Sequence, residues 1–215
     1  MFVFLFLIAP SMVLSFFAVK QGTASFDLIA IATILRDLAL VSLVAFFLWR
    51  NREPVIRIGW TLRAALEEAL LGAVCWFPLF LLASLVETVL RGAGFTGTPK
   101  SVSGLLTPAG PGEFALAFLL VAVVAVAEET IFRGYLMLRL EAITGSPITA
   151  AFLSAIIFSV GHGYEGTAGV ATVGVLGLGF AAVYLWRGSL VAPITMHFLQ
   201  DFTAMILVPL LTHKH

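Results

Sequence analysis

The feature that most constrains this chain is a series of apolar runs, each about as long as a membrane is thick. A helix needs about 20 apolar residues to cross a hydrocarbon core of roughly 30 Å. We predict about seven such helices, at roughly 1–19, 27–49, 66–90, 113–139, 147–162, 167–186 and 189–211. The composition agrees, because 60% of the 215 residues are hydrophobic and only 11% are charged. The chain is therefore predicted to be all-α, a polytopic transmembrane helical bundle.

The first apolar run raises the question of a cleaved signal peptide. The segment "GTAS" at 22–25 resembles a weak small-residue cleavage site. No basic residue precedes the apolar run, however, and the run begins at Met1. We therefore predict that the first run is a membrane helix that stays in the protein.

The charges limit both the partners and the orientation of the chain. Twelve basic residues balance 12 acidic ones, so the composition indicates no nucleic-acid partner. The loop at 49–63 holds four arginines, and with seven spans the loops carrying Arg139 and Arg187 fall on the same side. Because short cytoplasmic loops are enriched in Lys and Arg, we predict that the N-terminus lies in the cytoplasm and the C-terminus outside.

One long connection, at 91–112, divides the chain into two groups of helices. It is rich in Gly, Pro, Ser and Thr and has no helical periodicity, so we predict a plain linker in preference to a lid or substrate-entry loop. Residues 1–112 then comprise the N-terminal transmembrane helices and the loop, and residues 113–211 form a core of four transmembrane helices. The many glycines of the sixth run predict close helix packing.

Six ionisable side chains of the last four apolar runs lie at bilayer depth, away from the ends of the runs. Such groups cost several kcal/mol in a bilayer unless they face a cavity and find partners, so they are functional candidates. They are Glu128, Glu129, Arg133, His162, His197 and Asp201. Glu129 and Arg133 are four residues apart and share a helix face, which predicts a structural ion pair. Glu128 points away from Arg133 and is left available for chemistry.

Two further pairs have the same spacing of four residues. Phe158 precedes His162, and His197 precedes Asp201, whose carboxylate can fix the tautomer of the imidazole. Counted at 1.5 Å per residue from helix ends on one side of the membrane, Glu128 and these polar groups fall within one slab. The sequence therefore predicts that they converge on a cavity deep in the membrane.

A glutamate and two histidines in such a cavity fit two kinds of chemistry. Glu128 can act as a general base on water while a histidine stabilises the developing oxyanion. Alternatively, Glu128, His162 and His197 could bind a divalent metal such as zinc, since two His and one Glu form a known catalytic ligand set. The sequence leaves the choice open between no cofactor and a divalent metal. It contains none of the His-Glu-x-x-His, Gly-x-Ser-Gly or Gly-x-Gly-Asp motifs of other membrane proteases.

Three motifs together resemble a known family. "EETIFR" at 128–133, "FSVGH" at 158–162 and "HFLQD" at 197–201 are similar to the ordered motifs of the CPBP family of intramembrane endopeptidases. That family includes the type II CAAX prenyl proteases and bacterial relatives linked to bacteriocin self-immunity, also called Abi proteins. The resemblance covers about 113–205, so 113–211 is predicted to be a CPBP-type catalytic core.

The resemblance implies a role for each matching residue. Glu128 would activate the attacking water with His162 beside it, and His197 would help to stabilise the oxyanion. Supporting roles fall to Glu129, Arg133 and Phe158. Asp201 departs from the Asn that the family often has at this position. Because an ionised Asp cannot donate to an oxyanion, Asp201 is expected to orient His197 or to coordinate a metal.

The resulting prediction is an intramembrane endopeptidase, either glutamate-dependent or of the metallo type. Its expected partners are membrane lipid and a peptide or membrane-protein substrate, with CAAX-type processing of a lipidated substrate as one option. The short chain is similar to prokaryotic members, which implies an integral protein of a prokaryotic plasma membrane. Two other functions stay open: a non-enzymatic immunity or scaffold protein and, less favoured because no internal repeat is visible, a proton-coupled transporter.

Overall fold

The computed structural model describes residues 25–212, and within that range the chain is helical and contains no strand. The predicted first span at 1–19 and its cleavage site at 22–25 lie outside the described residues. The described helices are α1 (Phe26–Arg50), α2 (Ala65–Gly92), α3 (Lys100–Leu105), α4 (Pro111–Thr144), α5 (Pro147–Gly161), α6 (Gly166–Arg187) and α7 (Val191–Leu211). The predicted all-α fold is confirmed.

Five of these helices are long and apolar enough to cross a membrane: α1, α2, α4, α6 and α7. The predicted spans from 27–49 onward all coincide with helices, although α5 has only 15 residues. Helix α5 begins with Pro147 at its first position, and the Ser146 hydroxyl caps it by accepting from the Thr149 amide at 3.2 Å. Large apolar side chains cover the outer faces, as bilayer contact requires. The protein is therefore an integral, multi-pass membrane protein.

The connection at 91–112 is not the plain linker that its composition predicts. It contains the short helix α3, and residues on both sides of that helix line the cavity described below. The preceding turn is tied to the start of α6, because the Ala168 amide donates to the Thr96 carbonyl at 2.9 Å. Gly166 has a φ of +79°, and a Cβ there would lie 2.6 Å from the Thr96 oxygen. The hydrogen bond to Thr96 and the close backbone contact at Gly166 hold the loop against the start of α6.

The middle of α4 is a buried π-helical segment, Thr130–Leu136, which begins directly after Glu129. A π segment bonds residues five apart, so it widens the helix and often marks a functional site. Neighbours bond to the segment from two sides: the Trp60 indole donates to the Thr130 hydroxyl at 3.1 Å, and the Ser154 hydroxyl donates to the Phe132 carbonyl at 2.9 Å. Helix α4 is thus enclosed where its charged residues lie.

Helix α6 packs closely through its glycines, as the sequence predicts. A Cβ on Gly177 would lie 3.2 Å from the Phe158 ring of α5, and one on Gly179 would lie 2.5 Å from Leu79 of α2. Small residues let helices approach in lipid, where no hydrophobic force drives them together. The glycines therefore bring α5 and α2 close to α6 on two sides.

The arginine-rich loops meet at one end of the bundle. Arg139 Nη2 lies 2.7 Å from Glu53 in the loop after α1, and Arg187 Nη2 lies 2.6 Å from Glu68 at the start of α2. The hydrogen bond from Arg139 lowers the pKa of Glu53 below its ordinary value. The predicted placement of these loops on one side is confirmed. Because α1 packs along α4, and α2 along α6 and α7, the division at residue 112 stays a proposal.

Candidate active site

A cavity of about 440 Å³ opens between α1, α3, α4, α7 and the turn before α6. Part of its wall is apolar and is formed by Leu120 and Val124 of α4 and Met205 of α7. Its ionisable lining consists of Arg36, Glu128, His162, Tyr164, Glu165 and Asp201. Three of the predicted site residues, Glu128, His162 and Asp201, therefore share one cavity, in agreement with the convergence expected from their depth.

Glu128 lies between a cationic side chain and a histidine. Its Oε1 is 4.0 Å from Arg36 Nη2, and its Oε2 is 3.8 Å from His197 Nε2. Only 12% of the side chain is exposed, and among the described residues Oε2 has no hydrogen-bond partner. A buried carboxylate oxygen without a donor is costly unless water or a ligand satisfies it. Glu128 therefore lines the cavity with one buried carboxylate oxygen that accepts no hydrogen bond from the described residues.

Glu129 and Arg133 form the predicted ion pair within α4. Arg133 Nη1 donates to Glu129 Oε1 at 2.8 Å, and both side chains are almost completely buried. Arg133 Nη2 also donates to the Gly177 carbonyl at 3.3 Å. The guanidinium carbon lies 4.3 Å from the centre of the Phe158 ring and 5.1 Å from that of Phe180. The charge is thus enclosed by a carboxylate, a carbonyl and two aromatic rings.

His197 connects α7 to both glutamates. Its Nδ1 donates to Glu129 Oε1 at 2.8 Å, while its Nε2 lies 3.4 Å from Asp201 and 3.8 Å from Glu128. The spacing of four residues thus places the Asp201 carboxylate beside the His197 ring, where it faces Nε2, while Glu129 accepts the hydrogen bond from Nδ1. The ring stacks on Phe180 at 5.4 Å, a contact that the sequence analysis missed.

His162 ends α5 at the cavity. Its Nδ1 bonds to the Phe158 carbonyl at 2.9 Å, and its ring packs 4.7 Å from that of Phe158. Because a carbonyl only accepts, Nδ1 carries the proton and Nε2 is the nitrogen left to interact with another group. The i, i+4 relation of Phe158 and His162 is confirmed as a direct contact.

The sequence analysis missed two charged residues of α1 that reach this site. Arg36 lines the cavity, and its Nε and Nη2 each lie 2.8 Å from Oδ1 of Asp37. Asp37 is 1% exposed. Two adjacent charges inside the apolar run 27–49 are themselves a signal of function in a membrane helix, although they lie outside the last four runs, which contain the motifs.

The predicted metal ligands do not fit an ion in this arrangement. Within residues 25–212, no three His, Cys, Asp or Glu side chains are grouped so as to hold a metal. Glu128, His162 and His197 are among the side chains so compared, and the Nδ1 bonds of the two histidines leave Nε2 of each available, so it is the spacing of the three groups that does not fit an ion. We therefore derive no reaction step through a metal ion.

Comparison with known proteins connects this site to one family. Residues 110–203 match the model of the type II CAAX prenyl endopeptidase Rce1-like family. Curated proteins give no significant match to the chain, and solved structures give none either. The matched segment contains the three motifs and every residue predicted for the site. Residues 110–203 are therefore similar to the type II CAAX prenyl endopeptidase Rce1-like family, in agreement with the predicted resemblance to CPBP intramembrane proteases.

Proposed function

We propose that the chain is an intramembrane endopeptidase in which Glu128 activates a water molecule to hydrolyse a peptide bond. The family to which residues 110–203 are similar is one of proteases, which implies a peptide substrate and a site within the membrane. The observation that carries the proposal is the buried Glu128 Oε2, which lacks a hydrogen-bond partner among the described residues. Glu128 also lines the same cavity as His162. Glu128 can thus accept a proton from a water molecule in this cavity, and His162 provides a second polar group for the same water molecule.

The proposed reaction has two steps. Water between Glu128 and His162 donates one hydrogen bond to each, since His162 Nε2 accepts when Nδ1 carries the ring proton. Glu128 then takes a proton as the water oxygen bonds to the substrate carbonyl carbon, and the carbonyl electron pair moves onto its oxygen. The C–N bond breaks as the oxyanion re-forms the carbonyl and Glu128 returns that proton to the leaving nitrogen, which yields a carboxylic acid and an amine. The acid then loses its remaining proton to solvent.

The remaining predicted residues have positioning roles in this proposal. Glu129 holds His197 through Nδ1, and Arg133 holds Glu129. The predicted oxyanion role of His197 requires its Nε2 to donate, and this nitrogen faces both Asp201 and Glu128. Asp201 therefore acts on His197 in place of donating to the oxyanion itself. Phe158 packs against His162 and under the Arg133 guanidinium.

A lipidated substrate is the class that we propose. The cavity has apolar walls formed by residues such as Ile29, Leu120 and Met205, and the bundle that surrounds it is embedded in lipid. An S-linked isoprenoid chain fits such surroundings because burying each CH₂ group contributes about 0.8 kcal/mol. The corresponding reaction is CAAX-type processing, which removes the last three residues after a lipidated cysteine.

Cleavage of a defined peptide tests this substrate. The purified chain in proteoliposomes is expected to release the carboxyl-terminal tripeptide from a peptide with an S-farnesyl cysteine at the fourth position from its end. The same peptide without farnesyl should be cleaved at least about tenfold less efficiently, because it loses apolar burial. Mass spectrometry identifies the cut. Equal cleavage of both peptides would refute lipid recognition, and cleavage of neither would refute this substrate class.

We also propose that the protein lies in a prokaryotic plasma membrane with its N-terminus in the cytoplasm. The arginine-rich end of the bundle would then face the cytoplasm. The cavity is lined by early residues of α1 and by the segment around α3, so its mouth is at the opposite end, on the outer side.

Labelling of intact bacterial cells tests the orientation. In a Cys75→Ala background, a membrane-impermeant maleimide is expected to label Gly104→Cys, which lies exposed in α3. It should not label Asn51→Cys, which lies exposed at the end of α1 beside the arginines. Lysed cells should label both variants. The reverse pattern in intact cells would contradict the proposed orientation.

A further inference from the structure

We propose that Arg36, on α1, donates a hydrogen bond to the oxyanion that forms during peptide hydrolysis. Arg36 lies outside the family match at 110–203, so nothing in that match assigns it a role. The inference rests on the proposed function of Glu128. It adds an electrostatic catalyst from a part of the chain where the sequence analysis placed none.

The position of Arg36 is the first support. Its side chain lines the same cavity as Glu128, and its Nη2 lies 4.0 Å from Glu128 Oε1. A water held by Glu128 attacks a carbonyl within a few ångströms, so the oxygen of that carbonyl comes within reach of the guanidinium. Among the described residues that line the cavity, Arg36 is the one Lys or Arg.

The rigidity of Arg36 is the second support. Asp37 Oδ1 accepts from Nε and lies 2.8 Å from Nη2, which fixes one edge of the planar guanidinium. Asp37 itself is buried, while 27% of the Arg36 side chain is exposed. A preorganised donor stabilises transition-state charge without the cost of reorientation, and the planar guanidinium of Arg carries five N–H groups.

The chemistry of the other groups is the third support. Glu128, Asp201 and Glu165 line the cavity as carboxyl groups, which accept hydrogen bonds when they are ionised. His197 Nε2 faces two of these carboxylates. A negative charge that develops on the substrate oxygen would be repelled by Asp201 and Glu165 when these are ionised, whereas Glu128 has taken a proton from water by that stage. The Arg36 guanidinium offsets the repulsion and stabilises the oxyanion.

Substitution of Arg36 tests the assignment by its effect on kcat. Arg36→Gln is expected to lower kcat for the farnesylated peptide by roughly 100- to 1,000-fold with little change in KM, as for loss of an oxyanion donor. Arg36→Lys should recover part of kcat, because it keeps the charge but loses the planar fork. Arg187→Gln is the matched control, since Arg187 also forms an ion pair, with Glu68 at the far end of the bundle, and kcat should stay unchanged.

A rescue experiment separates the catalytic role from a structural one. Asp201→Asn places an amide donor at the cavity, so adding it to Arg36→Gln should restore kcat at least about tenfold. Because Arg36→Gln leaves Asp37 buried without its cation, the series is repeated with Asp37→Asn to protect the fold.

Two results would overturn the proposal. One is a kcat of Arg36→Gln, with or without Asp37→Asn, within threefold of the Arg187→Gln value. The other is a fall in kcat that Asp201→Asn does not relieve, which would give Arg36 a structural role only. Failure of the proposed function is distinguished in the same assay, because then the wild type would not cleave or Glu128→Gln would cleave normally.

Discussion

Glu128→Gln is expected to lower kcat for peptide cleavage by roughly 100- to 10,000-fold and to leave the bundle folded. The amide has nearly the shape of the carboxylate but cannot take a proton from water. Glu128 lies at the edge of a cavity, is not part of the Glu129–Arg133 pair and contacts Arg36 and His197 only at 3.8–4.0 Å. Its loss should therefore remove chemistry and spare stability. Initial rates on the farnesylated peptide and thermal unfolding in detergent measure the two effects.

Glu141→Gln is the control for this variant. Glu141 lies on the same helix but is exposed near its other end, so both kcat and thermal stability should match the wild type. Full activity of Glu128→Gln would refute Glu128 as the base. Retained biological function in a Glu128→Gln, His162→Ala and His197→Ala triple variant that folds would instead favour the non-enzymatic immunity or scaffold role.

Arg133→Met is expected to destabilise the protein by about 3–5 kcal/mol and to abolish activity with the fold. Met retains much of the length of the Arg side chain but leaves the Glu129 carboxylate, which is 0% exposed, without its cation. Glu129 also holds His197, so the defect spreads to α7. Glu129→Ala should damage folding and activity as well, because it leaves the Arg133 guanidinium buried and unpaired. Equilibrium unfolding of each variant in mixed detergent measures the loss.

Arg91→Met is the matched control, because Arg91 forms a Glu–Arg pair with the same spacing of four residues. That pair, with Glu87 on α2, is 3.5 Å long and largely exposed. Exposed pairs contribute at most about 1 kcal/mol, so this change should be nearly neutral. An Arg133→Met protein that is stable but inactive would contradict the separation of a structural pair from a catalytic Glu128.

Much of the fold follows from the sequence because bilayer thickness fixes the length of an apolar helix. The helix around Glu128 was predictable from its length. The pair Glu129–Arg133 was predictable because unpaired charge is too costly in lipid to be accidental. The spacing of four residues also predicts that His162 lies against Phe158, as observed. These features depend on contacts within one helix, which periodicity describes.

Contacts between helices were beyond what periodicity describes. The choice of Glu129 over Asp201 as the partner of His197 Nδ1 depends on how α4 and α7 meet, and the π-helical turn after Glu129 changes the direction of the following side chains. Arg36 and Asp37 belong to a helix that the motifs do not include. The segment at 91–112 looked like a linker because its composition does not reveal that it closes over a cavity.

Single-turnover hydrolysis in heavy-oxygen water tests the central claim most directly. The farnesylated peptide is mixed with excess enzyme in the labelled water, and the new carboxyl group is analysed by mass spectrometry. If Glu128 activates water for direct attack, each wild-type product molecule carries one heavy oxygen in that carboxyl group, and Glu128→Gln forms essentially no product in the same time. Product without heavy oxygen from the wild type, or labelled product formed by Glu128→Gln at the wild-type rate, would contradict the account.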